Sequence, residues 1–161
     1  MTLLQDGMAL RQLQLGLKVD RAADTCAGTG TPGDPMFTVN GLCAVTAIIG
    51  VCTTTHGGSA NTLSFEFNPD AATGTDSAIT GTTDLGTASV VGDVAVVVGA
   101  PATGPLGGHV AVNVLGSTAG RGIALNDGVI GLVSTAGTGA WRWILFYIPI
   151  DDGAYITAVA V

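Results

Sequence analysis

The sequence predicts an all-β fold, a β-sandwich or jelly-roll-like domain of about eight strands with an extended N-terminal arm. Short apolar runs rich in Val, Ile and Thr recur along the 161 residues at the spacing typical of sandwiches. Turn-forming clusters, drawn from 25 Gly and 6 Pro, separate these runs. No segment carries the apolar period of an ordinary helix, and the length suits one domain.

The first 36 residues predict an arm followed by a linker. Residues 13–19 alternate Leu or Val with Gln, Gly and Lys, which is the period of a strand. Residues 26–35 are dense in Gly and Pro. Residues 1–21 hold three of the five basic residues and two acidic ones, whereas the rest of the chain is acidic. We expect residues 1–36 to form an arm and a linker before the domain, residues 37–161, with the arm, residues 1–21, docked on a neighbouring subunit. The alternative is that the arm is an ordinary edge strand of the same domain.

The remaining elements follow in order. We expect strands at 37–39, 42–55, 62–67, 90–98, 110–114, 128–134, 140–150 and 155–161. Gly50 predicts a bulge or kink in the second of these. The near-continuous valine run at 90–98 predicts a strand buried on both faces. Residues 69–83 and 101–108 predict loops, and 126–128, 135–139 and 151–153 predict turns.

The strand at 140–150 is apolar on both faces. One face carries Trp141, Trp143, Leu145 and Tyr147, and the other carries Arg142, Ile144, Phe146 and Ile148. This pattern is typical of a central strand that lies between a core and a second layer. That layer is either another sheet or a partner subunit.

Charge and hydropathy exclude several classes of protein. With 5 basic and 12 acidic residues, the net charge of −7 argues against nucleic-acid binding, which needs clustered Lys and Arg. No apolar run approaches the roughly 18 residues of a membrane span. The 47% of hydrophobic residues argues against disorder. Because residues 1–17 lack the apolar core of a signal peptide, we expect the protein to be made in a reducing cytoplasm.

The three cysteines, Cys26, Cys43 and Cys52, show no metal-binding spacing. Cys43 and Cys52 are nine residues apart, so a regular strand would point them to opposite faces. We therefore expect free, buried thiols that act as small apolar side chains.

The polar residues predict neither a metal site nor a cofactor site. His56 and His109 each adjoin a Gly pair without a third ligand at metal spacing, so we expect exposed loop histidines. Asn68, Asp70 and Asp76 share a loop, but their spacing fits no calcium motif.

Catalytic and nucleotide-binding motifs are also lacking. The adjacent Asp151 and Asp152 indicate a turn, because neighbouring turn side chains diverge. The Gly pattern at 28–33 has no flanking strand and helix and is interrupted by Pro32. No nucleophile motif is present, so we expect a protein without enzymatic activity.

Six residues are candidates for an interface with another subunit because they are apolar or basic and lie on the arm or on the strand at 140–150. They are Leu13, Leu15, Leu17, Arg21, Trp141 and Trp143. The two tryptophans have a rival interpretation, since exposed indole rings could stack on sugars.

Three parts of the chain resemble a family of tailed-bacteriophage virion structural proteins, of the small head-decoration or head-fibre type. They are residues 17–22 with 37–41, residues 45–54 with 62–69, and residues 139–154. The third part reads GAWRWILFYIPIDDGA. Residues 70–125 match this family only in general character.

The resemblance implies a non-enzymatic protein built into a virion in several copies. Its expected partners are further copies of itself, as a homotrimer, and the lattice of the major capsid protein; nucleic acid and membranes are not expected partners. The arm would reach the shell or a neighbouring copy. A tail or fibre module that binds a host surface glycan is the alternative, and a hydrolase or lyase hidden in the β fold is a further rival.

Overall fold

Two six-stranded antiparallel sheets face each other across one apolar core in the computed structural model. The structure describes residues 7–25, 33–58, 60–70, 76–86, 89–97, 112–113, 122–136 and 138–161. Within these residues the fold is all-β apart from one short helix, which confirms the predicted class.

The elements follow one another as α1 (Gly7–Leu15), β1 (Leu17–Thr25), β2 (Asp34–Asn40), β3 (Cys43–Thr54), β4 (Thr62–Pro69), β5 (Ser77–Ala78), β6 (Thr83–Asp84), β7 (Val94–Val96), β8 (Val112–Asn113), β9 (Ile123–Leu125), β10 (Gly128–Ser134), β11 (Ala140–Pro149) and β12 (Tyr155–Ala158). The described residues form twelve strands instead of the expected eight or so, and the four outside the expected positions are β1, β5, β6 and β9.

Most strands that follow one another in sequence lie in different sheets; the exceptions are β4 to β6 and β7 to β9. Sheet A has the order β1-β11-β3-β9-β8, with β7 also paired to β3. Sheet B has the order β12-β2-β10-β4-β5, with β6 also paired to β4. The predicted turns at 126–128 and 151–153 therefore carry the chain across the sandwich, from β9 to β10 and from β11 to β12.

Alternating side chains from the two sheets fill the core. Leu63, Phe65 and Phe67 of β4 point inward, as their spacing predicts. From β11, Trp141, Trp143, Leu145 and Tyr147 face them. The rings of Phe65 and Trp143 make a T-shaped contact, with 4.9 Å between ring centroids. Trp143 in turn stacks on Trp141.

The helix α1 corrects the prediction that Leu13 and Leu15 begin a strand. Residues 8–13 are good helix formers, and in this short segment their propensity outweighs the two-residue period. Gly16 ends the helix with a φ of +88°, and the strand period is realised only from Leu17 onward. Thr46 of β3 donates its hydroxyl to the Leu15 carbonyl, which ties the end of the helix to sheet A.

Residues 17–25 form an edge strand of sheet A. Of the two possibilities for the N-terminal segment, this is the edge strand and not the free arm. β1 pairs with β11 from Leu17 to Thr25, with a bulge between Arg21 and Asp24. The expected boundary at residue 36 falls inside β2, which pairs with both β10 and β12. The buried Glu66 accepts a hydrogen bond from the backbone N–H of Gly33, so the end of the predicted linker is also fixed to sheet B.

Strand β3 is irregular at two places, and neither is the predicted Gly50. Its register with β11 shifts at Thr46 and again at Thr53. The first shift changes the parity of the strand, so Cys43 and Cys52 both enter the core instead of pointing to opposite faces. Both remain free thiols, as expected. Gly50 instead makes room for the Trp143 ring, because an added Cβ at this position would lie 2.4 Å from the ring.

The valine run at 90–98 does not form the two-sided buried strand that its composition predicts. Only Val94–Val96 is a strand, with Ala95 and Val97 packed against the core. The predicted loop at 69–83 contains β5 and the start of β6. The predicted loop at 101–108 lies outside the described residues. Of the expected strand at 110–114, the structure describes Val112–Asn113, which form β8.

Candidate interaction surface

The predicted interface residues of the N-terminal segment occupy different environments. Leu15 is half-buried at the end of α1, and Leu17 is 41% exposed at the start of β1. Leu13 lies within α1, and its side chain falls outside the described part of the chain. Arg21 is buried and pairs with Asp24 at 3.0 Å, while its Nε and Nη1 find no hydrogen-bond partner among the described residues. Of the three residues whose side chains are described, Leu17 is the exposed one.

Trp141 and Trp143 do not form an interface, which corrects that expectation. They are 1% and 2% exposed, because the two sheets of the same chain enclose both rings. The same burial prevents them from stacking on a sugar. Tyr155 remains as a half-exposed aromatic residue on β12, and nothing in the described residues joins it to a second aromatic platform.

His56 is buried, contrary to the expected exposed loop histidine. Its Nε2 accepts a hydrogen bond of 2.6 Å from Trp141 Nε1. Because an indole N–H can only donate, this nitrogen of the imidazole carries no proton. Burial lowers the pKa of His56, and the carboxylate of Asp84 partly opposes that effect. Protonation of His56 Nε2 would place its N–H against the Trp141 Nε1–H, so the neutral imidazole fits this contact.

Asn61 joins the loop after β3 to the turn after β10. Its side-chain oxygen accepts from the backbone N–H groups of Thr135 and Ala136, and its nitrogen donates to the Thr138 carbonyl. Gly139 passes so close to His56 that a Cβ there would lie 2.4 Å from the ring. These bonds fix the backbone of the turn, which indicates a structural role for Asn61.

The described residues hold no group of three or more His, Cys, Asp or Glu that could bind a metal ion. Asp70 and Asp76 flank residues 71–75, and that stretch and His109 fall outside the described residues. Asp151 accepts from the Leu42 N–H, and its carbonyl accepts from the Ala154 N–H. These bonds are typical of the turn that its sequence predicts. Burial raises the pKa of the Cys43 thiol to about 11, so this sulfur is a poor nucleophile.

The most distinctive surface is an apolar area on the outer side of sheet A, which we call the valine face. It consists of Val94 and Val96 of β7, Ile49 and Val51 of β3, and Ile144 of β11. The register aligns them in rows, with Ile144 opposite Ile49 and Ile49 opposite Val96. Val94 is 62% and Val96 52% exposed, so the outer half of the valine run has no cover in the described structure.

Within the described residues, different elements form the margins of the valine face. At the opposite end, α1 contacts β11, and Gly16 lies against the Ile148 side chain. Beside the open end, Arg142 makes a two-pronged ion pair with Asp20, which also contacts Lys18 at 2.8 Å. These cations lower the pKa of Asp20 to about 2. At this margin, the negative charge of Asp20 is thus balanced by Lys18 and Arg142, although the chain as a whole is strongly acidic.

Sequence reasoning missed the valine face because the run at 90–98 predicts burial on both sides. The signal was nevertheless present, since a strand with valine on both faces needs cover on both. Among the described residues, that cover is present on one side only. In soluble proteins, large contiguous apolar patches are characteristic of interaction surfaces.

Comparisons with family models, curated proteins and solved structures find no match for this chain. Within the described residues, no helix is long and apolar enough to cross a membrane.

Proposed function

We propose that the protein is a non-enzymatic structural component of a virion. In its most specific form it is a decoration, or cement, protein that binds the assembled head of a tailed bacteriophage as a homotrimer. It would be made in the host cytoplasm and end in the virion. The observation that carries the proposal is the valine face, an apolar area on a rigid sheet with no cover from the described residues.

The architecture supports the same class. The strand order β1-β11-β3-β9 over β2-β10-β4-β5 has the connectivity of a double-sheet jelly roll. This arrangement is shared by viral capsid domains and by lectins. The buried tryptophans remove the aromatic platform that a glycan-binding module was expected to use. A shared fold does not imply a shared function, so the valine face supports the proposal more strongly than the strand order does.

In this proposal, the valine face docks on the capsid lattice. Burying apolar surface contributes about 25 cal/mol per Å², which favours docking through this face. A protein that binds the assembled shell, and not its separate subunits, stabilises the shell by mass action. The net charge of −7 keeps the decoration protein from adhering to DNA.

Co-sedimentation with empty heads of the encoding phage tests the proposal. The full chain should pellet with assembled heads and stay in the supernatant with unassembled capsid subunits. The double substitution Val94→Lys with Val96→Lys should weaken head binding at least about tenfold, or roughly 1.4 kcal/mol. Val161→Lys is the matched control, because Val161 is equally exposed but lies at the C-terminus. Equal binding by all three proteins, or no binding by the unmodified chain, would refute the proposal.

A further inference from the structure

Strand β7 is an edge strand of sheet A. It pairs with β3 on one side, and among the described residues no strand pairs with its other side. At the opposite edge of the sandwich, β1 of sheet A contacts β12 of sheet B. The edge that contains β7 is therefore shared with β6, which pairs with the outer side of β4 in sheet B.

The pairing of β7 with β3 fixes which of its backbone groups point away from the sheet. The Val97 N–H donates to the Ile48 carbonyl at 2.9 Å, so Val97 is directed towards β3. Backbone groups alternate in direction along an antiparallel strand. The N–H and C=O groups of Val94 and Val96 therefore point away from β3, towards the free side of β7. Such an edge is a template for pairing with another polypeptide strand.

On its inner side, this edge adjoins a cavity between the two sheets, which we call the flank cavity. Its volume is about 320 Å³, at the lower end of the range of binding pockets. Its lining combines apolar side chains, from Leu63, Phe65, Leu85, Ala95, Val97 and Trp143, with hydroxyl-bearing ones, among them Thr80, Thr82 and Thr83. A peptide matches such a mixed lining, because it joins apolar side chains to a polar main chain.

Two carboxylates near this edge restrict the charge of a partner. Asp93 accepts from the Val90 N–H at 2.8 Å. Asp84 of β6 accepts from the N–H groups of Asn61 and Gly86, at 3.0 and 2.8 Å. Neither carboxylate belongs to the cavity lining, which carries no charged side chain. Together with the net charge of −7, they disfavour an acidic partner segment.

We infer that an extended segment of the capsid protein adds to the free side of β7 as a further strand of sheet A. This inference rests on the proposed function and specifies the chemistry of its partner, a segment with apolar residues at alternate positions and no acidic ones. Because side chains alternate along a strand, one set extends the valine face and the other enters the flank cavity. The outward backbone groups of Val94 and Val96 supply the main-chain hydrogen bonds, and the cavity supplies specificity.

Co-sedimentation of the full chain with empty heads, over a concentration series, tests the strand addition. Val96→Pro removes the outward N–H, whereas Val96→Ala keeps it and loses more apolar surface than proline does. We expect the dissociation constant of Val96→Pro to be at least about tenfold higher than that of Val96→Ala, because a partner carbonyl loses its donor. Docking through the apolar face alone predicts the reverse order. Proline is compatible with an edge strand, and circular dichroism with urea denaturation checks that both variants are folded.

A second variant tests the flank cavity. Gly81 lines the cavity, and an added Cβ there meets nothing within 4 Å, so Gly81→Leu adds apolar volume without a clash. It should weaken head binding at least about fivefold, because the inward side chains of the added strand lose their space. Ala78→Leu is the matched control, since Ala78 is an exposed residue of β5 outside the cavity lining. It should bind as the unmodified chain does.

The outcomes separate the inference from the proposed function. Head binding by the unmodified chain that Val96→Pro and Gly81→Leu leave as strong as their controls do overturns the inference alone. Loss of the oligomer by Val96→Pro in light scattering, with head binding kept, assigns the edge to contacts between copies and also overturns it. So does a small molecule, found by native mass spectrometry, that Gly81→Leu displaces without changing head binding. An unmodified chain that does not bind heads refutes both.

Discussion

Gly50 and Gly81 show how differently two glycines constrain this fold. Gly50 lies under the Trp143 ring, which leaves no space for a Cβ, whereas Gly81 borders open space. Neither has a positive φ, so the contrast is one of packing and not of backbone strain.

Gly50→Ala should therefore lower the free energy of unfolding by about 1–3 kcal/mol through overpacking against the indole. Gly81→Ala should leave it unchanged or raise it by about 0.4–1 kcal/mol, because it restricts the unfolded chain. Urea denaturation followed by tryptophan fluorescence measures both. Equal stability of the two variants would contradict the observed packing of Trp143.

The His56–Trp141 hydrogen bond predicts a pH dependence of stability. The pKa of His56 is lowered in the folded state, so below its ordinary value of 6.5 the unfolded chain binds a proton that the folded chain does not. The free energy of unfolding should then be constant at higher pH and fall as the pH decreases below 6.5. Denaturant titrations between pH 7.5 and 5 measure this slope.

His56→Gln is the control for that slope. It should be less stable than the unmodified chain at pH 7.5, because the Trp141 N–H partner changes, yet it should lose less stability between pH 7 and 5.5. An unchanged slope in the variant would show that another group is responsible.

Sequence patterns located most of the inward-facing residues but misplaced several polar ones. The two-residue period of β4 and β11 gives the correct core faces. The burial of His56 has no local signal, because Trp141 lies 85 residues away in sequence. The parity change at Thr46 likewise depends on how β3 pairs with β11, and a single strand's sequence does not encode that pairing.

At the level of elements, β1 decides whether the N-terminal segment is an arm or part of the domain. It pairs with β11 over nearly its whole length, and its Arg21 lies opposite Trp143. Val19 packs against the core from the same strand. The alternation of residues 17–19 predicts the strand, but only the pairing shows where it attaches.

Removal of residues 1–21 should consequently destabilise the whole domain and expose Trp143. We expect a lower urea midpoint and a red-shifted tryptophan emission relative to the full chain. A truncated protein with unchanged midpoint and emission would instead support a separable arm. Removal of residues 1–6 alone, which precede α1, is the matched control and should leave both unchanged.

Over the whole molecule, the valine face distinguishes this sandwich from a self-sufficient domain, because the described residues leave Val94 and Val96 exposed. The composition predicts the all-β class and the acidic charge, and both hold at this scale. It cannot predict which valines stay uncovered, because burial in a sheet depends on the partner strands and on α1. The assembly proposed here accounts for this surface.

The mass of the protein in solution, measured by light scattering over a dilution series, is the most direct test of the proposed homotrimer. We expect a species of three times the chain mass that persists over at least a tenfold dilution. A monomer at every concentration would contradict a preformed symmetric virion component.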